Sequence, residues 1–160
     1  MPLRAGEKVG LSAEELREVA FYPPRMSLRI MHPSPRLAFY PIDLKAPESA
    51  LASPGTFPPI AIGDVLVAIH RSLHTRITPD DWAALSAEEE ASVGQAFTRR
   101  CRKEAVASTD GVPAADWKER ETDARNDGVK RVDFLMGKSE FKGLVRDDAD
   151  PDGVLRLLTE

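Results

Sequence analysis

Two short strand-like runs separated by a glycine constrain the C-terminal third of the chain. Within residues 130–136, Arg131 and Asp133 alternate with Val132 and Phe134, and Gly137 separates this run from a second apolar run at 140–145. Alternation with a period of two is typical of a strand with one face buried, and a glycine between two such runs is typical of a tight turn. The pattern therefore predicts a β-hairpin over 128–144 and an antiparallel sheet that contains it.

Three more segments are predicted to be strands. Residues 26–31 alternate in the same way, and residues 37–43 can pair with them, bent by Pro41. The apolar run 154–158 predicts the final strand. We therefore expect a small antiparallel sheet with strands near 26–31, 37–43, 130–136, 140–145 and 154–158.

Helices are predicted between these two groups of strands. Apolar side chains recur at helical spacing in three segments, near 64–74, 79–85 and 87–107. Start signals support each: Asp64 can cap the first, Thr78 the second and Ser86 the third. Strands and helices segregated in this order predict an α+β domain.

The length of the chain suits a single domain. A chain of 160 residues can form one core. We expect residues 1–20 to form a tail with a short helix after Ser12, and residues 21–160 to form the domain. The polar segment 108–127 is predicted to be a mobile loop, with the exception that Trp117 could lie on a short helix that docks.

The composition argues against several function classes. The formal net charge is −4, which gives no general reason to expect nucleic acid or an anionic membrane as a partner. No apolar run is long enough to cross a bilayer, and no secretory signal is apparent. A single cysteine excludes an internal disulfide and favours the cytosol or nucleus. No nucleotide-binding loop or other cofactor motif is present, so no cofactor is expected.

His70 and His74 are candidate metal ligands, because imidazoles four positions apart lie on one helix face. A zinc site needs at least a third protein ligand, and no glutamate lies between them as in a metalloprotease helix. A polar helix face explains the pair as well.

The same histidines suggest a small enzyme with Cys101 as its nucleophile. Nearby cations could lower the pKa of the thiol. However, Cys101 continues the apolar stripe of Val93 and Phe97, so core packing is the better interpretation.

The densest basic run is residues 99–103, which contains Arg99, Arg100 and Lys103. It could bind phosphates of a nucleic acid, or it could complement the negative end of a helix dipole. No aromatic residues are interleaved to stack on bases, so nucleic acid is the less favoured partner.

An acidic turn begins like a calcium-binding loop. Asp148, Asp150 and Asp152 alternate before a glycine, as at the start of an EF-hand loop. The twelfth position is Thr159, however, where such a loop has glutamate. A solvated turn between strands is the alternative.

Arg131 and Asp133 are candidate binding residues. On a strand they would share one face, and charges there are costly unless they are paired. They could anchor a peptide or ligand at the sheet surface, or they could form a structural ion pair, which we favour.

Several segments together resemble a fungal family, the domain of unknown function DUF6699. The resemblance extends over most of residues 21–158 and is carried by segments 23–28, 32–34, 42–43, 62–73, 97–101, 128–135 and 141–144. His70 and His74 depart from its pattern, since aromatic and basic residues are more usual there, and the last strand lacks the expected tryptophan. The resemblance implies a compact α+β domain in an intracellular setting and implies no activity.

Together these observations favour a non-catalytic binding module with a protein or peptide partner. The exposed edge of the strand near 37–44 could accept a peptide by strand addition. The sequence does not determine the oligomeric state.

Overall fold

Four strands form one mixed sheet in the computed structural model, which describes residues 10–46, 58–107, 116–146 and 153–160. The strands are, in chain order, β1 (Ser27–Met31), β2 (Ile42–Lys45), β3 (Phe141–Arg146) and β4 (Leu155–Thr159). Their order across the sheet is β2-β1-β4-β3. β1 pairs antiparallel with β2, and β4 pairs antiparallel with β3.

The two central strands, β1 and β4, run parallel, with Ile30 opposite Leu155. The expected antiparallel sheet is therefore mixed. The strands predicted near 26–31, 140–145 and 154–158 are confirmed. The strand predicted at 37–43 is shifted: residues 37–40 form a turn, and β2 begins directly after Pro41, which has no N–H to donate to a ladder.

The predicted helices are also confirmed, with small changes in their bounds. They are α1 (Ile62–Leu73), α2 (Pro79–Ala83) and α3 (Ala87–Ala107), and a short 3₁₀ helix (Glu15–Arg17) follows the cap at Ser12. Asp64 lies in the first turn of α1 rather than at its cap, and its carboxylate accepts the N–H of Ala61. The chain is a single α+β domain.

Part of the expected polar loop is helical. Residues 116–126 form α4 (Asp116–Asn126), which packs on α3 although none of its residues is buried. Ion pairs support it: Glu121 pairs with Arg125 one turn later and with Arg102 of α3. Hydrophobic periodicity cannot detect a helix that docks through polar side chains.

The predicted strand 130–136 is wrong, and with it the hairpin 128–144. Residues Arg131–Leu135 form a second 3₁₀ helix, and Asp133, Phe134 and Leu135 are buried in succession, which a strand with alternating faces does not allow. The Asp133 carboxylate accepts the N–H of Lys130 at 2.9 Å, a local bond that favours the helical turn over a ladder. β3 therefore pairs with β4.

The apolar core consists of two clusters. One lies between the sheet and α1 and includes Ile30, Ile69 and Leu157. The other lies between α3 and the second 3₁₀ helix and includes Val93 and Phe134. Leu73 of α1 packs against both. In the part of the chain described, no helix is both long and apolar enough for a bilayer span.

Candidate functional site

A groove of about 470 Å³ lies between the two apolar clusters. Leu66, Ile69 and Leu73 of α1 and Leu157 of β4 supply its apolar lining. Its polar lining includes most of the residues that the sequence singled out, which are His70, His74, Arg99, Arg100, Lys103 and Asp133. The fold thus brings together candidates that were identified separately.

His70 and His74 stack on each other at the end of α1. Their ring centroids are 3.9 Å apart and the planes differ by 18°. The Nδ1 of His74 lies 2.9 Å from the carbonyl oxygen of His70 and donates to it, which leaves Nε2 as the free nitrogen. Burial lowers the pKa of His74, against the effect of that hydrogen bond, so its ring is mainly neutral at pH 7.

The geometry gives little support to a metal at this pair. No cluster of three or more His, Cys, Asp or Glu residues that could hold a metal ion occurs within the described ranges. The candidate calcium ligands Asp148, Asp150 and Asp152 lie outside those ranges.

Arg100 and Asp133 form the structural ion pair beside the groove. The Nε and Nη2 of Arg100 donate to the two Asp133 oxygens at 2.9 and 3.0 Å. Arg100 also donates to Glu104 and to the Gly128 carbonyl, and it lies over the Phe97 ring. Although burial opposes it, this pairing raises the pKa of Arg100. Both charges are therefore used within the fold, as expected for a structural pair.

The predicted pair of Arg131 with Asp133 is wrong, because residues two positions apart share a face on a strand but not on a 3₁₀ helix, which has three residues per turn. The Arg131 guanidinium stacks on the Tyr40 ring, with Cζ 3.9 Å from the centroid, and it does not line the groove. The Nε of Arg131 is buried without a hydrogen-bond partner. Tyr40 in turn donates to Asp81 of α2. The sequence indicated that placing the Arg131 charge in the fold would be energetically costly, but it did not predict that the Tyr40 ring would be its partner.

Two cations of the run 99–103, Arg99 and Lys103, line the groove. In the described residues no carboxylate forms a salt bridge with either of them. Both residues are exposed. The Arg99 guanidinium lies directly over Gly137. The Cβ of any other residue at this position would lie only 2.8 Å from the Arg99 Nη1. Gly137 has a positive φ of 91° and ends the turn after the second 3₁₀ helix.

The basic run as a whole does not form one surface. Arg100 is held by Asp133, Arg102 faces Glu121 of α4, and Cys101 is fully buried. Helical geometry distributes consecutive residues around the axis, so Arg99, Arg100 and Lys103 line the groove whereas Cys101 and Arg102 do not.

Cys101 lies in the core, as its place in the apolar stripe predicted. Its exposure is 0%, and burial raises the pKa of the thiol. An activated nucleophile needs a lowered pKa and access to substrate, so the geometry does not support Cys101 in that role.

Several groove residues were not predicted from the sequence. Among them, Ser139 precedes β3, Phe141 begins that strand and remains 45% exposed, and Thr159 ends β4. Thr159 is hydrogen-bonded to the Nε2 of His32 at 3.0 Å. No local pattern in the sequence marks these residues as part of a site, although an aromatic residue at the start of a short strand is a weak indication of one.

Comparison with known proteins places the chain in a family. No curated protein and no solved structure matches it. Residues 3–153 match the family described as "Family of unknown function (DUF6699)". Because that match covers nearly the whole sequence, the chain belongs to this family.

Proposed function

We propose that this protein is a non-catalytic binding module that takes up an acidic, partly apolar segment of a partner protein in the groove. The observation that carries the proposal is the pair Arg99 and Lys103, exposed beside an apolar lining without salt bridges in the described residues. The setting we propose is the cytosol or nucleus of a fungal cell, as the single cysteine and the family resemblance suggest.

An acidic segment fits both parts of this surface. Its carboxylates would meet cations that the fold leaves unneutralised, which increases association rate and selectivity. Its apolar side chains would cover Leu66 and Leu73, and each buried Å² of apolar surface contributes about 25 cal/mol. The volume of about 470 Å³ can hold a few side chains of such a segment.

A charge-reversal experiment tests the proposal. A display library of random dodecapeptides is selected on the wild type, on the groove variant Arg99→Glu/Lys103→Glu, and on the control Arg71→Glu/Arg102→Glu. The control changes the net charge by the same amount as the groove variant, but at residues of α1 and α3 that lie outside the groove. Circular dichroism establishes that each variant is folded.

The wild type and the control should select acidic peptides that contain apolar residues. The groove variant should bind them at least about tenfold more weakly, because two attractive contacts become repulsive. Selection of no peptide, or equal binding by the groove variant, contradicts the proposal. Binding of single-stranded RNA lost only in the groove variant would replace it with the nucleic-acid alternative.

A further inference from the structure

The strand β3 is one edge of the sheet, and it lies beside the groove. β4 is its neighbour, and no other described strand pairs with it. An edge strand presents unpaired N–H and C=O groups that can pair with another extended chain. The aromatic side chain at the start of this edge, Phe141, also lines the groove.

The direction of the Phe141 backbone follows from the ladder. Glu140 and Glu160 exchange both of their backbone hydrogen bonds at 3.0 Å, so they form a hydrogen-bonded pair. The next pair is Phe141 with Thr159. Because the two kinds of pair alternate in an antiparallel ladder, the N–H and C=O of Phe141 point away from β4, toward the open edge.

An irregularity limits how far the edge can pair. The register shifts between Phe141 and Gly143, and Gly143 has a positive φ of 144°. A bulge of this kind bends an edge and hinders pairing with a long flat strand. A short peptide can still pair on either side of it.

We propose that the partner segment binds as a short added strand on the β3 edge, paired with the backbone of Phe141. This inference rests on the proposed function and specifies its geometry. An added strand places alternate side chains on the helix-facing side of the sheet, where the groove lies. Apolar side chains at those positions would contact Phe141 and the groove lining, and acidic ones would reach Arg99 and Lys103.

The position of the groove favours this edge over the other one. β2, near which the sequence predicted strand addition, is also an edge, but it has only four residues and none of them lines the groove. β3 has six residues, and its first residue lines the groove together with Arg99 and Lys103. These two cations attract an acidic segment to the β3 edge.

Amide exchange and a proline substitution test the binding mode with the peptides that the display library enriches. The Phe141 amide should exchange at least about tenfold more slowly in the complex, because its N–H becomes hydrogen-bonded. Each peptide is also made in two forms with N-methyl groups at alternate residues. One form should lose binding and the other should keep it, since alternate N–H groups of a strand point to opposite edges.

Two substitutions at Phe141 separate the backbone from the ring. Both Phe141→Ala and Phe141→Pro remove the ring, but only proline removes the outward N–H, and at this position it breaks no bond to β4. The proline variant should bind at least about fivefold more weakly than the alanine variant, the equivalent of one hydrogen bond. Thermal melts establish that both are folded.

The outcomes distinguish the two proposals. Peptides that depend on Arg99 and Lys103 but tolerate N-methylation in both forms and leave the Phe141 amide unprotected would overturn strand addition and keep the binding function. A library that yields no peptide would overturn both. Concentration-dependent dimerisation abolished by Phe141→Pro, with no peptide bound, would identify a second copy of the chain as the occupant and also overturn the proposal.

Discussion

Asp133 is the charged side chain that this fold buries most completely among the described residues, at 2% exposure. A buried carboxylate is tolerated because Arg100 binds both of its oxygens and the Lys130 N–H supplies a third bond. These contacts join α3 to the second 3₁₀ helix. Asp133 therefore supports the position of one groove wall rather than binding a partner itself.

Replacing Asp133 by asparagine should destabilise the protein by about 3 kcal/mol, because the buried Arg100 charge loses its main partner while the side-chain shape is kept. Urea unfolding measures the change. The matched control is Glu104→Gln, which removes a 40% exposed partner of the same arginine and should cost less than about 1 kcal/mol. Equal losses of unfolding free energy in the two variants would show that burial of the carboxylate does not decide its contribution to stability.

The stacked histidines should make binding of acidic peptides depend on pH. Burial lowers the pKa of His74, so this ring becomes protonated at a lower pH than is usual for histidine. An anionic ligand in the groove favours the protonated form. Affinity should therefore rise as the pH falls from 7.5 to about 5.5, where peptide carboxylates remain ionised. Of the charged groups near His74, Lys130 lowers its pKa and Glu104 raises it, and Arg99, Arg100, Lys103 and Asp133 line the same groove.

Calorimetric titrations of a library-selected peptide into the wild type and into His70→Gln/His74→Gln measure this effect. The double variant should bind with nearly constant affinity over the same pH range. A pH dependence that survives the substitution would assign it to other groups.

At the scale of elements, the start of α3 shows how local signals fix a helix. Ser86 and Glu89 exchange side-chain bonds with each other's backbone N–H, as the capping box predicted. Glu89 is also bonded to Arg36, in the turn before β2, at 2.9 Å. The Arg36 hydrogen bond and the Ser86 N–H lower the pKa of Glu89 to about 2.

This lowered pKa should appear in the acid stability of the protein. Since the folded value lies below the ordinary value of 4.5, the carboxylate contributes stability fully above that pH. The contribution is lost as the pH falls toward about 2. Glu89→Gln should therefore differ from the wild type near neutral pH, and the difference should shrink in acid.

Urea midpoints measured from pH 6 to 2 test the expectation, with the neighbouring Glu88→Gln as control. Glu88 lies between the two residues of the box without being bonded in it, and it forms no salt bridge with Arg36. A difference in urea midpoint between the wild type and Glu89→Gln that does not change with pH would contradict this expectation.

Local signals predicted the first three helices but not the second 3₁₀ helix. Caps and apolar stripes lie within a few residues of each other, so the sequence displays them directly. From 131 to 134 the side chains alternate as in a strand, yet the bond from Lys130 to Asp133 and the burial supplied by α3 favour a helical turn. The local sign of this turn was an aspartate whose carboxylate can accept the N–H three positions earlier, although a lysine side chain has no acceptor with which to complete a capping box.

At the scale of the molecule, the groove could not be predicted from the sequence. Its residues come from α1, α3, the second 3₁₀ helix and the β3–β4 pair. His70, Arg99 and Asp133 were each identified for a separate reason, but their proximity depends on how these elements pack. Phe141 became relevant only once β3 was found at the edge of the sheet.

The sheet order also predicts that β4 is indispensable. It lies between β1 and β3, and Leu155 and Leu157 are buried in the core. Ending the chain after Gly153 should leave an unfolded protein, whereas removing Glu160 alone should not. Dispersion of amide signals in NMR spectra distinguishes these states, and a dispersed spectrum for the shorter chain would contradict the prediction.

The parallel pairing of β1 with β4 has a consequence for biosynthesis. During translation β1 leaves the ribosome long before β4 has been made, so Ile30 lacks one of its two neighbouring strands during that time. Contacts between distant parts of a chain form slowly, and exposed apolar strands favour aggregation meanwhile. The nascent protein should therefore depend on chaperones that shield β1 until β4 has been made.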